Sequence, residues 1–225
     1  YGGDKGIFGY GNGPISQTNL VSNAGVVAAD VTGVGTARSD IAACEYGGDK
    51  GIFGFGSTGS LVSMTNLVTN AGVIGTDVTG VGTARNYPAA CEYGGDKGIF
   101  GYGYDGSPAS MTNLVSNAGV VATDVTGVGT VRYGLAACEY GADLGIFGYG
   151  FGPVSVTNLV SNSGVVGTDV TGVGTARIDV AACSYGNDKG IFGYGGTYVS
   201  ITNLVSNAGV VATDTTGVGT ARNYL

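Results

Sequence analysis

The chain combines an extreme glycine content with a low density of charge. It has 225 residues, of which 46 are Gly, while charged residues make up 11% and the formal net charge is −7. The glycines follow no three-residue period and hydrophobic residues reach 43%, which excludes collagen and argues against disorder. An acidic chain with nine Lys and Arg is not expected to bind nucleic acid, and the absence of His excludes histidine catalysis.

Five copies of one unit fill the sequence. The string Gly-Ile-Phe-Gly recurs at spacings of 45, 47, 47 and 45 residues, beginning at Gly6, Gly51, Gly98, Gly145 and Gly190. Each copy continues into Thr-Asn-Leu-Val and then into Thr-Gly-Val-Gly-Thr, which leads to Arg38, Arg85, Arg132, Arg177 or Arg222. A fixed period of this length is typical of repeat architectures.

The second copy shows the predicted elements in chain order. A small-residue run over 41–46 ends at the Gly-Gly-Asp-Lys cluster, which predicts a hairpin turn. Three further runs follow, over 51–56, 64–70 and 73–78, and none has the apolar period of a helix. Each repeat is therefore predicted to form four short strands joined by turns.

Four strands in about 45 residues, repeated five times, predict an all-β, five-bladed β-propeller with four antiparallel strands per blade. A β-solenoid is the competing geometry, but its rungs are usually shorter. The chain begins in mid-repeat at Tyr1 and ends just beyond Arg222, so the N- and C-terminal segments are expected to share one blade and close the ring. The absent initiator Met leaves open whether this is a trimmed or processed fragment or part of a longer chain.

An Arg, a small-residue strand and then Tyr-Gly-Gly-Asp-Lys-Gly-Ile-Phe-Gly-Tyr-Gly follow one another over 85–103. This order resembles the kelch repeat, and more closely the highly repetitive kelch-like propellers of phage and environmental microbial sequences. The resemblance covers residues 1–225 as a single domain of five repeats. It implies a propeller, with attachment at a virion or extracellular surface as its setting. The kelch Trp is missing from every unit, and kelch rings ordinarily have six or seven blades.

Cysteines and charges recur at fixed repeat positions. The four cysteines, all equivalent, are Cys44, Cys91, Cys138 and Cys183. They are interpreted as small buried thiols, with a soft-metal site as the alternative. The recurring Arg and Asp residues are expected to stabilise the blades, the alternative being a ring of charge presented to an ion. No cofactor or metal is expected.

Two segments of the repeat vary while the rest is nearly invariant. One is the loop after the aromatic strand, and the other is the triplet after each Arg. Because strands in a blade alternate in direction, both segments should emerge on one face, and loops on a rigid framework commonly carry function. The candidate ligand-binding residues on this variable face are Tyr87, Tyr104, Asp105, Tyr133, Phe151, Tyr198 and Tyr224. Neutral drift of exposed loops explains the same variation.

The sequence favours a non-enzymatic binding module that recognises a protein or carbohydrate through the variable face. The alternative is a structural or assembly protein, a designed scaffold included, with no small-molecule ligand. An enzyme is disfavoured because no Ser or Cys has a His to activate it. No nucleic-acid partner and no membrane insertion are expected, and the sequence does not fix the oligomeric state.

Overall fold

A computed structural model describes residues 1–196 and 198–223. Over these residues the chain is all-β, without helices, and its fourteen strands form five small antiparallel sheets. The first sheet contains β1 (Gly6–Gly11) and β2 (Ile15–Val21). The other twelve strands are β3 (Ala42–Tyr46), β4 (Lys50–Gly54), β5 (Thr65–Val68), β6 (Ala89–Tyr93), β7 (Lys97–Tyr104), β8 (Pro108–Val115), β9 (Ala136–Tyr140), β10 (Leu144–Gly148), β11 (Thr157–Val160), β12 (Ala181–Tyr185), β13 (Lys189–Gly193) and β14 (Thr202–Val205).

Each of the last four sheets consists of three consecutive strands, such as β3, β4 and β5. The first two strands form a hairpin whose register sets Cys44 opposite Ile52. In its turn, Gly47 and Gly48 have φ values of 64° and 73°, a conformation that glycine adopts without steric cost. The prediction of an all-β chain built from five similar units is confirmed.

The fourth strand predicted in each repeat does not form as a regular strand. In the second sheet, the segment after β5 pairs with it at Ile74 and at Val78, as isolated antiparallel bridges. Between these points the Asn66 side chain is also bonded to this segment. Its Nδ2 donates to the Gly75 carbonyl at 3.1 Å and to Asp77 Oδ1 at 2.9 Å. The side-chain amide thus occupies the Gly75 carbonyl, and the described residues form no four-stranded sheet.

The core lies between consecutive sheets, where a Phe of one sheet packs on a Gly of the sheet before it. A Cβ added at Gly101 would meet the Phe147 ring at 2.6 Å, and Phe147 is fully buried. The Tyr102 and Phe147 rings meet edge to face at 5.2 Å. The glycines at these contacts therefore allow the sheets to approach closely. The same packing places Phe53 at Gly9, Phe100 at Gly54 and Phe192 at Gly148.

Among the described residues, no equivalent Phe-on-Gly packing joins the fifth sheet to the first. Phe8, the equivalent of these buried Phe residues, is 64% exposed. Of the described residues, only Thr202 lies within 4 Å of a Cβ added at Gly193, where Phe8 would pack in a closed ring. The predicted closure by the two chain ends is therefore not seen in the described part. The first sheet has two described strands, and the turn before β1 spans residues 2–4.

Candidate functional site

The two variable segments of a repeat lie side by side. In the second repeat, the backbone N–H groups of Ser39 and Ser57 each donate to the carbonyl of the other at 2.9 Å. Asn86 and Tyr104 pair in the same way in the third repeat, at 3.0 and 2.8 Å. The triplet after each Arg and the loop after the aromatic strand thus form one continuous surface.

Four candidate residues come together as an aromatic cluster made of Tyr87, Tyr104, Tyr133 and Phe151. The Tyr133 ring is its centre, stacked on Phe151 with centroids 4.5 Å apart and planes 17° apart. Tyr104 meets Tyr133 edge to face at 5.3 Å, and Tyr87 lies at 5.9 Å on a tilted plane. Phe151 is 46% exposed, so the cluster offers flat apolar surface to solvent.

The other three candidate residues lie outside this aromatic cluster. Asp105 is partly buried, and its Oδ1 accepts hydrogen bonds from the Ser107 N–H at 3.1 Å and hydroxyl at 3.2 Å, which fixes the loop beside Tyr104. Tyr198 is 66% exposed, and no ring contact among the described residues includes it. Tyr224 lies outside the described residues.

A shallow hollow of about 180 Å³ adjoins the cluster, where the triplets of successive repeats converge. The Tyr87 N–H donates to the Asp40 carbonyl at 2.9 Å, and the Asp179 N–H donates to the Gly134 carbonyl at 2.8 Å. The middle residue of each of the four described triplets has a positive φ, 51° at Tyr87, which is unusual for an aromatic residue. The hollow is lined by Asp40, Ile41, Tyr87, Pro88, Gly134, Leu135, Asp179 and Val180.

Sequence reasoning did not select Asp40 and Asp179 as site residues. Both occupy the middle position of a triplet, the position of Tyr87 in its own repeat, and this shared position was the signal that could have found them. Asp is one of the residue types that tolerates a positive φ, which accounts for its use here.

Four of the five recurring Arg side chains are internal, whereas Arg222 is exposed. Arg38, Arg85, Arg132 and Arg177 are all buried. Arg85 donates from Nε to the Tyr102 carbonyl at 2.7 Å and from Nη2 to Asn113 Oδ1 at 2.7 Å. Burial lowers the pKa of Arg85 to about 10. These contacts join neighbouring segments. They favour the prediction that the recurring charges stabilise the structure over the alternative of a ring of charge presented to an ion.

The recurring Asp residues take part in the same network. Asp124 accepts hydrogen bonds from the backbone N–H and hydroxyl of Thr83, and from Asn113 Nδ2. Partial burial disfavours the charged carboxylate, but these hydrogen bonds outweigh it and lower the pKa of Asp124. Its carboxylate also lies 3.9 Å from Arg85 Nη1.

The first strands of the last four sheets, called inner strands below, contact one another in succession as β3, β6, β9 and β12. They line a cavity of about 410 Å³, and Glu45, Glu92 and Glu139 are among its lining residues. Burial, followed by the neighbouring carboxylates of Glu139, Glu45 and Asp96, raises the pKa of Glu92 to about 7.

Three of the four cysteines fill space between sheets, whereas Cys183 is exposed, so the prediction of a buried thiol is wrong at that position. The Sγ atoms of Cys44, Cys91 and Cys138 lie where a Cβ on Gly98, Gly145 and Gly190 would fall, at 2.6 to 2.8 Å. All four thiols are free, and burial raises the pKa of Cys138 to about 12. Over residues 1–196 and 198–223 no group of three or more Cys, Asp or Glu is placed to hold a metal ion.

A scan against protein-family models found no match, and a search of curated proteins found none either. In the described part of the chain, no helix has the length and apolar character needed to cross a membrane.

Proposed function

We propose that the five sheets are the blades of a single kelch-like β-propeller, with the irregular segments after β2, β5, β8, β11 and β14 as its outer strands. The succession of inner strands around one cavity supports this arrangement. So does the Phe-on-Gly packing that recurs at four junctions. Every sheet then presents its variable segments at the same end of the propeller axis.

On this framework the protein acts as a non-enzymatic binding module that recognises a carbohydrate or protein through the variable face. The observation that carries the proposal is the stacking of Tyr133 on Phe151, with Tyr104 and Tyr87 against the same ring. Exposed, mutually supported aromatic rings provide large contact area at a small cost in side-chain entropy. Carbohydrate is the first class to test, because a flat apolar ring surface matches the C–H face of a sugar.

Drift alone supplies no reason for the variable residues of two consecutive repeats to build one cluster. Tyr87 belongs to the third repeat's triplet, Tyr104 to the third repeat's loop, and Tyr133 and Phe151 to the fourth repeat. In the other repeats no aromatic residue occupies the position of Tyr133 or the shared position of Tyr104 and Phe151, whereas the position of Tyr87 holds Tyr again at Tyr224. The hollow beside the cluster adds the carboxylates of Asp40 and Asp179, which can accept hydrogen bonds from hydroxyl groups.

The test is a glycan array probed with the full chain and with two variants. Tyr133→Ala removes the central ring of the cluster, and we expect at least a roughly tenfold loss of any glycan signal, since stacked rings at the centre of a contact dominate its energy. Tyr185→Ala removes an exposed Tyr from the opposite end of a sheet and should leave the signal unchanged.

The alternative, a structural or assembly protein, gives a different result. Sedimentation would then reveal concentration-dependent assembly, with no glycan bound by either the parent chain or the variants. A glycan signal that survives Tyr133→Ala would place recognition elsewhere and reject the aromatic cluster as the site.

A further inference from the structure

The loop after β1 carries an exposed Asn in a turn that the chain uses twice. Residues 12–14 are Asn-Gly-Pro and all three are exposed, with a φ of 88° at Gly13. The fourth repeat has the same turn after β10, where Phe151 precedes the Gly-Pro pair and Gly152 has a φ of 101°. The glycine and the proline are therefore common to the turn, whereas the residue ahead of them differs.

Asn12 is distinguished from the other Asn residues by the residue that follows it. The chain has fourteen Asn residues, and only Asn12 precedes a Gly. The Gly13 N–H donates to Asn12 Oδ1 at 2.9 Å, so the backbone nitrogen lies beside the side-chain carbonyl group. Apart from the chain neighbours of Gly13, no described residue has an atom within 4 Å of a Cβ built at this glycine. The approach of the Gly13 nitrogen to Asn12 Cγ is therefore unobstructed.

The recurring Asn residues have a different arrangement. Asn66 is followed by Leu and Asn70 by Ala, so in each case a Cβ crowds the backbone nitrogen that would attack. Their side-chain amides are also held by other partners. Asn66 Nδ2 donates to Asp77 Oδ1 at 2.9 Å, and Asn70 Nδ2 donates to Asp49 Oδ2 at 3.1 Å. We therefore expect Asn12 to react before these positions do.

We propose that Asn12 is a modification site at which the folded protein deamidates spontaneously, with water as the co-reactant. The Gly13 nitrogen loses its proton to a base in the solvent and bonds to Asn12 Cγ, which it already neighbours. The Cγ–Nδ2 bond breaks, and Nδ2 takes a proton from water and leaves as ammonia. Water then opens the five-membered imide at either of its carbonyl groups, which gives aspartate or isoaspartate. The net change converts an amide and water into a carboxylic acid and ammonia, with no transfer of electrons.

The reaction changes the variable face, since Asn12 belongs to the variable loop of the first repeat. Either product adds a negative charge there. Isoaspartate also adds a carbon atom to the backbone, between two attachments of this loop to Arg38. The Gly11 N–H donates to the Arg38 carbonyl at 3.4 Å, and the Arg38 N–H donates to the Ile15 carbonyl at 3.3 Å. The modification itself does not rest on the function proposed for the variable face.

The experiment incubates the full chain beside the free peptide Gly-Tyr-Gly-Asn-Gly-Pro, which matches residues 9–14. Mass spectrometry of the tryptic fragment 6–38 measures the conversion of amide to acid and locates it, and chromatography separates aspartate from isoaspartate. We expect Asn12 in the protein to convert within about fivefold of the rate in the free peptide, because an exposed loop leaves the reacting groups accessible. A greater slowing would overturn the proposal, since the fold would then hold the Gly13 nitrogen away from Cγ.

Asn12→Gln is the matched control, because Gln keeps the amide but would have to form a six-membered ring. Its fragment 6–38 should gain no acid over the same period. The fragment also contains Asn19 and Asn23, neither followed by Gly. A mass gain that persists in Asn12→Gln would place the reaction at one of these residues and reject Asn12 as the site. The rate at Asn12 in the parent chain should also rise with hydroxide concentration, and a rate independent of pH would contradict attack by the deprotonated Gly13 nitrogen.

Discussion

Arg85 lies over the face of the Phe55 ring, with its guanidinium carbon 4.0 Å from the ring centroid. Phe55 belongs to the second repeat, while the hydrogen-bond partners of Arg85 at Tyr102 and Asn113 belong to the third. One side chain therefore connects two consecutive sheets. The same pairing recurs as Arg38 on Tyr10, Arg132 on Tyr102, Arg177 on Tyr149 and Arg222 on Tyr194.

Substituting Arg85→Lys should destabilise the protein by about 3 kcal/mol, because lysine cannot reproduce a buried, forked set of hydrogen bonds. The change leaves the Tyr102 carbonyl and Asn113 Oδ1 without their donors in a buried site. Urea unfolding followed by circular dichroism gives the free energy of unfolding for both chains.

Arg222→Lys is the control within the same chain. Arg222 is exposed, although it also lies over an aromatic ring, at 4.4 Å from Tyr194. Its substitution should cost less than about 1 kcal/mol, in line with surface charges generally. Equal losses for the two variants would mean that the ring contact, rather than buried hydrogen bonding, sets the stability.

The sequence was sufficient to predict the repeats, the hairpins and the meeting of the two variable segments, because each follows from local patterns and strand alternation. It was not sufficient for the fourth strand, where the Asn66 side chain occupies the Gly75 carbonyl. Nor does it reveal that Tyr133 stacks on Phe151 while Tyr198 stands apart, since this depends on how loops of unequal length fold over neighbouring repeats.

The glycines at the sheet junctions allow a second matched comparison. Gly101→Ala places a methyl group 2.6 Å from the buried Phe147 ring, so we expect a loss of about 1–3 kcal/mol from overpacking. Gly193→Ala, at the equivalent position of the last sheet, meets only Thr202 Cγ2 at 3.4 Å among the described residues. Its free energy of unfolding should stay within about 0.5 kcal/mol of the parent value.

Neither glycine has a positive φ, so the comparison isolates side-chain crowding from backbone strain. A substantial loss at Gly193, measured by urea unfolding, would indicate that Phe8 packs there in solution and that the ring is closed.

The cavity lined by the inner strands predicts a pH dependence of stability at Glu92. Its pKa is raised from 4.5 to about 7 in the folded protein by burial and by the carboxylates of Glu139, Glu45 and Asp96. The folded state therefore binds the Glu92 proton more tightly than the unfolded state does, and stability falls as the pH rises from about 4.5 to about 7. Glu92→Gln removes the titration, so the variant should match the parent at pH 4.5. At pH 8 its free energy of unfolding should exceed that of the parent by about 1–2 kcal/mol, since one pKa unit is worth about 1.4 kcal/mol before solvent screening of this half-buried group.

Urea unfolding across this range measures the difference. Asp4→Asn is the control, because hydrogen bonds from Lys5 and Asn23 lower the pKa of Asp4 and confine its titration to more acidic pH. Parallel stability curves for Glu92→Gln and the parent would contradict the coupling of these carboxylates across the cavity.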